Sequence, residues 1–209
     1  MSSIVFVNGS LRGKKASSRT FLDLLEGELG GEAKSIRRVG IAPSEDGGFS
    51  AATLDILSEA DAIVLAFPLF VYCLPGALMA FLESWYRCAK SRGAPGAGTR
   101  VYAIVNCGHA EPEINAEAIR VLANFCRRMG LTWGFAVAVG GGPVVAAAAR
   151  LPLLGRSARR AFAAMAAGLE SGGAGPRQTV LLRPPLPKEV LFFFRDLVMR
   201  KATKERTAA

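Results

Sequence analysis

Residues that commonly bind metals or form disulfides are scarce in this chain of 209 residues. It has one histidine, His109, and four cysteines, no two of which have the C-x-x-C spacing of zinc and iron–sulfur ligands. This scarcity argues against a zinc site or an iron–sulfur cluster, and the scattered cysteines argue against a disulfide framework. We therefore expect free thiols and a reducing, cytoplasmic location.

Negative charge is also in short supply. The chain has 17 acidic residues against 26 lysines and arginines, which gives a formal net charge of +9. The positive residues are spread along the chain rather than gathered in one block, so anionic small ligands are favoured and no nucleic-acid partner is expected. Hydrophobic residues make up 51% of the chain, which excludes global disorder.

Long hydrophobic segments without helix breakers are missing too. Two uncharged stretches, 62–82 and 129–149, are long enough to cross a bilayer. Pro68 and Pro75 interrupt the first stretch, and a triple glycine followed by Pro143 interrupts the second. These breakers favour short buried strands followed by loops over membrane-spanning helices. The first residues also lack the pattern of a signal peptide.

Apolar strands alternate with amphipathic helices along most of the chain. Five strands that alternate with five helices predict a parallel sheet with helices on both faces. The third strand is entirely apolar, as expected for a strand that is covered on both faces. The strands are predicted at 4–7, 33–39, 62–66, 101–105 and 135–139, and the helices at about 21–29, at 51–60, from 75 onward, at about 114–129 and at 157–169.

The unusual residues of the sequence fall in the loops that follow strands one, three, four and five. In an open parallel sheet, ligands bind beyond the carboxyl ends of the strands. We therefore expect these loops to lie along one edge of the sheet and to form the binding site. The loops are Gly9–Ser18, Pro68–Leu74, Asn106–Glu113 and Gly140–Pro143.

The first loop is rich in glycine, hydroxyl and basic residues and runs into a helix. Main-chain N–H groups and hydroxyls at such a position bind phosphate. Neither the Walker A pattern nor G-x-G-x-x-G occurs, which excludes the usual ATP and dinucleotide motifs. The alternative is a helix capped by Ser17 or Ser18 beside a solvated basic loop. The phosphate-binding candidates are Ser10, Arg12, Lys14, Lys15, Ser17, Ser18, Arg19 and Thr20.

The second and third loops can surround a planar ring. Phe70 and Tyr72 can line one face of the ring, or alternatively cover the core. The main chain and Asn106 of the third loop can hydrogen-bond the polar edge of a heterocycle. Cys107 and His109 are not interpreted as nucleophile and base, because lone cysteines are usually inert. The triple glycine after strand five either admits a ligand closely or is a flexible turn.

One phosphate end and one planar ring end describe a mononucleotide, and FMN fits best because it needs a single phosphate cradle. Three motifs in order resemble the flavodoxin-like NAD(P)H-dependent FMN reductase family. They are G-S-L-R with the serine-rich helix start, F-P-L-F-V-Y-C-L-P, and N-C-G-H-A-E-P-E-I-N with the later W-G-F-A-V-A-V-G-G-G. The resemblance covers about residues 4–142 and is weak beyond Pro143.

The resemblance implies an α/β three-layer sandwich with a five-stranded parallel sheet in the order 2-1-3-4-5. It implies bound FMN, NAD(P)H as co-substrate, a homodimer, and hydride transfer through flavin N5 to an acceptor such as a quinone, a flavin, or a nitro- or azo-aromatic. It assigns no catalytic side chain. The implied phosphate contacts are Ser10, Arg12, Ser17, Ser18 and Thr20, and the implied ring contacts are Pro68, Leu69, Phe70, Val71, Tyr72, Asn106, Cys107 and Gly108, with Gly141 nearby.

The last residues, 184–209, are predicted to form a segment separate from a domain at 1–183. The apolar positions between Val190 and Val198 have helical spacing and basic residues follow them, so an amphipathic C-terminal helix is expected. Docking on its own domain or on a partner subunit is the simpler interpretation. Contact with a membrane surface is the other.

Two other classes of function stay open. A flavodoxin-type electron carrier binds FMN without using NAD(P)H, but such carriers are usually acidic and this chain is not. A non-catalytic interaction protein can also retain the fold. Arg37 and Arg38 are candidates to bind the 2′-phosphate of NADPH, although a solvated strand end is the simpler interpretation.

Overall fold

The computed structural model describes residues 2–30, 34–42, 48–92, 98–172, 178–185 and 190. Over these residues, strands and helices alternate along the chain. The strands are β1 Ser2–Asn8, β2 Lys34–Gly40, β3 Ala62–Pro68, β4 Arg100–Asn106, β5 Thr132–Val139 and β6 Val180–Leu182. The α-helices are α1 Ser17–Glu28, α2 Ala51–Ser58, α3 Gly76–Ser91, α4 Ala116–Met129, α5 Gly142–Ala148 and α6 Arg156–Glu170, and short 3-10 helices lie at Gly13–Lys15 and Pro112–Asn115.

The central strand β3 shows why the sheet needs a helical layer on each face. Successive side chains of a strand point to opposite faces. Ile63 and Leu65 belong to one buried cluster, whereas Val64 and Ala66 belong to the other. Helices α2, α3 and α4 contribute to the first cluster, and α1, α5 and α6 contribute to the second. The three-layer α/β prediction is therefore confirmed.

The strands pair in the order β2-β1-β3-β4-β5-β6, and every neighbouring pair is parallel. The first five strands have the expected order. The expected number of strands is wrong, because the described residues contain a sixth strand at the edge of the sheet. In β6, Leu182 pairs with Val139 of β5. The helix α5 was not expected either; it follows the triple glycine and has Pro143 in its first turn.

The helices bury the side chains that their spacing predicts. In α3 a stripe at helical spacing faces the sheet, and α4 buries a similar stripe. The α1 positions expected to be apolar are buried as well. These buried residues are Phe21, Leu22, Leu25 and Leu29 around α1, Leu78, Phe81, Leu82 and Trp85 in α3, and Ala118, Ile119, Leu122, Cys126 and Met129 in α4.

Two parts of the sequence prediction concern the membrane and the C-terminus. Within the ranges that the structure covers, the longest apolar helices fall short of what a bilayer crossing requires. The expected amphipathic helix and the basic residues after it lie outside the described residues, apart from Val190. The division at 183/184 and the membrane-surface alternative therefore stay predictions.

Candidate cofactor-binding site

The loops that follow β1, β3, β4 and β5 form one edge of the sheet. Because the strands are parallel, their carboxyl ends lie side by side. Asn8 pairs with Ala66, and Asn106 pairs with Pro68 on one side and with Val139 on the other. The predicted convergence of these four loops is therefore confirmed.

Asn106 joins three of these loops through its buried side chain. Its Nδ2 donates hydrogen bonds to Ser18 Oγ and to the Phe67 carbonyl oxygen, both at 3.0 Å. Its own main-chain oxygen accepts a hydrogen bond from the Leu69 N–H at 2.7 Å. A Cβ atom at Gly142 would lie 2.7 Å from Asn106 Oδ1, so the turn after β5 also packs against this side chain. Asn106 thus connects the start of α1 with the ends of β3 and β5.

The first loop is held by two buried polar side chains, Asn8 and Ser10. Asn8 Nδ2 donates to the Gly13 carbonyl oxygen at 3.0 Å, and Asn8 Oδ1 accepts from the Ser10 N–H at 3.3 Å. Ser10 Oγ in turn accepts from the Arg12 N–H at 3.3 Å. Sequence reasoning missed Asn8, although asparagine before glycine at the end of a strand is a turn signal. These bonds fix the path of the loop into α1.

The N-terminus of α1 has no side-chain cap. Its N-cap residue is the buried Ala16, so the alternative of a Ser17 or Ser18 cap is wrong. The Arg19 N–H donates to the Ala16 carbonyl oxygen at 3.0 Å, whereas the N–H groups of Ser17 and Ser18 have no acceptor in the described part of the chain and remain available to an anion. No acidic residue lies in this first turn. Ser17 and Thr20 are half-buried, whereas Ser18 is buried beneath Asn106.

Positive side chains surround this helix terminus. Arg12, Lys14 and Lys15 are exposed, and no ion pair joins them to any residue in the described part of the chain. Arg19, by contrast, pairs with Asp23 at 3.0 Å. The loop therefore offers main-chain donors, hydroxyls and unneutralised charge together, which is the donor set that a phosphate group needs.

The second loop makes a tight turn whose apolar side chains lie in solvent. Phe70 and Cys73 exchange main-chain hydrogen bonds of 2.9 and 3.0 Å. Val71 and Tyr72 have φ angles of 46° and 61°, a left-handed conformation that costs free energy for residues other than glycine. Phe70, Val71 and Tyr72 are 65%, 79% and 62% exposed. The alternative that Phe70 and Tyr72 cover the core is therefore wrong.

His109 of the third loop lies beside Tyr72 of the second. Their ring centroids are 6.3 Å apart, and the ring planes are inclined by 27°. Both side chains are exposed at the carboxyl edge. The sequence placed each residue in a site loop, but nothing in it indicates this contact, because the two rings meet only after β3 and β4 have paired. The pair extends the aromatic surface that a planar ring can contact.

Cys107 is buried, with its thiol against main-chain carbonyl oxygens, and its contact with a ring stays a prediction. Its Sγ lies 3.5 Å from the His109 carbonyl oxygen and 3.6 Å from that of Val139. Burial raises the pKa of the thiol, which agrees with the interpretation that Cys107 is not a nucleophile. Its N–H donates to the Val139 oxygen, and its carbonyl accepts from Gly142. Gly108, which follows it, is exposed.

The triple glycine allows one loop to pack closely against others. Gly141 has a φ of 57° and is the N-cap of α5, and a Cβ atom added to it would lie 3.1 Å from Pro184 Cβ. Each of the three N–H groups donates to a carbonyl oxygen. The acceptors are Leu182 for Gly140, His109 for Gly141 and Cys107 for Gly142. Hydrogen bonds and close packing thus hold this turn, and the proximity of Gly141 to a ring stays a prediction.

The strand order and the loop edge define a flavodoxin-like α/β fold, and solved structures of that fold, including a flavodoxin from Agrobacterium tumefaciens described as WrbA-like, resemble the chain. No family model and no curated protein sequence matches it. An oxidoreductase from Corynebacterium diphtheriae superposes with a TM-score of 0.61 at 15% identity, over 83% of this chain and 97% of that one. An NADPH-quinone reductase from P. pentosaceus gives 0.55 at 15% identity, over 79% and 98%. An azoreductase from Bacillus anthracis gives 0.52 at 16% identity, over 83% and 99%.

Proposed function

We propose that the protein is an FMN-dependent NAD(P)H oxidoreductase. The observation that carries this proposal is that a basic, uncapped helix terminus and an exposed apolar loop lie on one edge and are joined through Asn106. Its Nδ2 donates to Ser18 Oγ at 3.0 Å, and its main-chain oxygen accepts from the Leu69 N–H at 2.7 Å. That edge suits a molecule with a phosphate at one end and a planar ring at the other. The names of the structural neighbours, an azoreductase and an NADPH-quinone reductase, support the same class.

The phosphate of FMN fits the first loop. The N–H groups of Ser17 and Ser18 would donate to it, the hydroxyls of Ser10, Ser17 and Thr20 are further donors, and Arg12 would supply counter-charge. Ser18 has a different role, because its oxygen already accepts the hydrogen bond from Asn106. It would position the loop and still has its own hydroxyl proton to donate.

The ring of FMN fits the second and third loops. The exposed side chains of Phe70, Val71 and Tyr72 would cover one face and exclude water, while the main chain at Gly108 would meet the polar edge. Pro68 and Leu69 precede this turn and are half-buried. When bound, FMN would accept a hydride from NAD(P)H and transfer electrons to an acceptor such as a quinone or an azo-aromatic compound.

We also propose that two copies of the chain form a homodimer through the second loop. Val71 and Tyr72 are exposed there, and Met79 in the first turn of the following helix α3 is 46% exposed. Exposed apolar patches of this kind typically mark an interaction site. Sedimentation of the wild type should give a dimer, and Val71→Asp should give a monomer. A monomeric wild type would overturn this part of the proposal.

The test is to purify the protein, record its visible spectrum, and extract and identify any flavin. We expect stoichiometric FMN, and we expect NAD(P)H to bleach it in the same cuvette. Arg12→Gln should weaken FMN binding about tenfold, since it removes a charged donor to phosphate. Arg128→Gln is the matched control, because it removes an equal charge at the far end of α4.

Each outcome separates the candidate functions. A protein that neither contains FMN nor takes it up is not an oxidoreductase of this class and is left as an interaction protein on the same fold. A protein that binds FMN but does not react with NADH or NADPH is an electron carrier. NAD(P)H oxidation that requires FMN and an added acceptor supports the proposal.

A further inference from the structure

The first loop carries more positive charge than one phosphate requires. A phosphate monoester brings a charge of about −1.5 to −2 near neutral pH. The N-terminus of α1 contributes about +0.5, and Arg12 contributes a full charge. Lys14 and Lys15 are therefore in excess, and both are exposed with no acidic partner among the residues that the structure covers.

The 3-10 helix Gly13–Lys15 separates the two lysines. A 3-10 helix has about three residues per turn, so consecutive side chains diverge by about 120°. Hydrogen bonds to the Gly13 carbonyl oxygen, from Asn8 Nδ2 at 3.0 Å and from the Ala16 N–H at 3.2 Å, hold this turn in place. At most one lysine can therefore face a phosphate at the start of α1. The charge of the other lysine is then left unused along the open carboxyl edge of the sheet.

Arg37 and Arg38, the candidates to bind the 2′-phosphate of NADPH, already form ion pairs with acidic residues. Arg37 lies 3.1 Å from Glu59, and Arg38 lies 2.9 Å from Asp23. Arg38 also bonds to Glu26 and lies over the Phe6 ring. These contacts neutralise both guanidinium groups. Of Arg37, Arg38, Lys14 and Lys15, only the two lysines therefore lack an ion-pair partner in the described part of the chain.

We propose that the positive charge of Lys14 and Lys15 that the FMN phosphate does not require forms an anion subsite along this edge and makes the site prefer NADPH to NADH. The inference rests on the proposed function. The two dinucleotides share a pyrophosphate and differ only in the 2′-phosphate, which adds a charge of about −1.5 to −2 to NADPH. Fixed cations at an open edge attract the more highly charged ligand, over a Debye length of about 8 Å at physiological ionic strength.

The test compares the FMN-loaded wild type with Lys14→Gln/Lys15→Gln, a double variant that removes both charges. The measurements are kcat/KM for NADPH and for NADH at low and high salt. Calorimetric binding of NADP⁺ and NAD⁺ to the same preparations is a readout that does not depend on turnover. Arg127→Gln/Arg128→Gln is the matched control, since it removes the same charge from exposed residues at the end of α4.

The double lysine variant should lose about tenfold in kcat/KM for NADPH and a smaller factor for NADH, with a parallel loss of NADP⁺ affinity. The loss should shrink at high salt, and the arginine control should leave the NADPH/NADH ratio unchanged. An unchanged ratio in the lysine variant, an equal change in the control, or loss of FMN from the lysine variant overturns the subsite.

The wild type distinguishes failure of the subsite from failure of the proposed function. A wild type that binds FMN and uses NADH as well as NADPH overturns the subsite alone. A wild type that takes up no FMN overturns the proposed function and the subsite with it.

Discussion

The two loops at the ends of the candidate site, Gly9–Ser18 and Pro68–Leu74, are stabilised in opposite ways. The first is held by buried polar side chains and leaves its charges in solvent. The second is held by a pair of main-chain hydrogen bonds and leaves apolar side chains in solvent. In the second loop Val71 and Tyr72 both have positive φ, whereas in the first the positive φ falls on Gly13.

This contrast indicates what each kind of recognition costs. Donors for an anion are set in place by Asn8 and Ser10 without backbone strain on a side-chain-bearing residue. An apolar contact surface instead needs exposed side chains, and the strained turn that presents them costs about 1–3 kcal/mol per residue. The first loop would therefore be preformed for the proposed phosphate, whereas the strain of the second loop would be offset only when the proposed ring or partner covers it.

The largest effect is expected where the two loops are joined. Asn106→Ala should lower the free energy of unfolding by about 3 kcal/mol, because it leaves a cavity and the Phe67 carbonyl oxygen loses its buried donor. Urea unfolding measures the change. Ser18→Ala should cost less, since Asn106 then keeps its bond to Phe67. A loss below about 1 kcal/mol for Asn106→Ala would show that the loops are held independently.

A smaller loss is expected within the first loop alone. Asn8→Ala removes two of the three side-chain hydrogen bonds that fix the turn; it should cost about 2 kcal/mol and weaken FMN binding about tenfold. Urea unfolding and flavin fluorescence titration measure the two losses. Asn8→Asp should be worse than Asn8→Ala in both measurements, because it keeps the acceptor for the Ser10 N–H but places a buried carboxylate against the Gly13 carbonyl oxygen and beside the proposed phosphate site. Unchanged FMN affinity in Asn8→Ala would mean that FMN binding does not depend on the loop conformation that Asn8 stabilises.

The sequence predicted the layers of the fold because burial leaves a direct pattern. A strand covered on both faces must be apolar throughout, as β3 is, and a helix covered on one face must repeat its apolar residues, as α3 does. The edge strand β6 was missed because its three residues, V-L-L, form a strand by pairing with β5 rather than through a pattern of their own. The position of the site loops followed from the parallel order of the strands.

Contacts within the site were less accessible from sequence. The stacking of Tyr72 on His109 and the hydrogen bond from Asn106 to Ser18 join residues that are distant in the chain. The cap of α1 was misjudged, because serine normally caps helices, whereas here the buried Ala16 is the N-cap and the serines lie in the first turn of the helix. Whether a helix N-terminus lacks a side-chain cap can be predicted from sequence only if the first residue of the helix is known.

A gain in stability is expected in the second loop. Val71→Gly should raise the free energy of unfolding by about 1 kcal/mol, because glycine adopts a φ of 46° without the steric cost that a β-branched residue meets. Val71→Ala is the control; it retains a Cβ in the left-handed region and should gain less. Dimer sedimentation and FMN titration should show weaker association in both variants. A less stable Val71→Gly would show that this turn is not strained.

The smallest expected change in stability concerns the third loop, whose Asn106 is hydrogen-bonded to Ser18 and to Leu69. Burial raises the pKa of the Cys107 thiol and raises that of the remote core residue Cys126 to about 12. A raised pKa in the folded state means that the unfolded chain loses its thiol protons first, so the stabilisation is complete below the ordinary thiol pKa of about 8.5 and declines above it. Between pH 8 and 9, Cys126 alone should lower the free energy of unfolding by less than about 1 kcal/mol, which urea unfolding at the two pH values resolves.

Replacing either thiol should flatten this pH dependence. Cys126→Ser should remove the contribution of the core, and Cys107→Ser should remove that of the third loop. If Cys107→Ser retained the full slope of the wild type, the thiol would be ionising in the folded protein. The loop between the polar and the apolar ends of the site would then be open to water, and the contrast between a preformed and a strained loop would extend to a third, loosely held one.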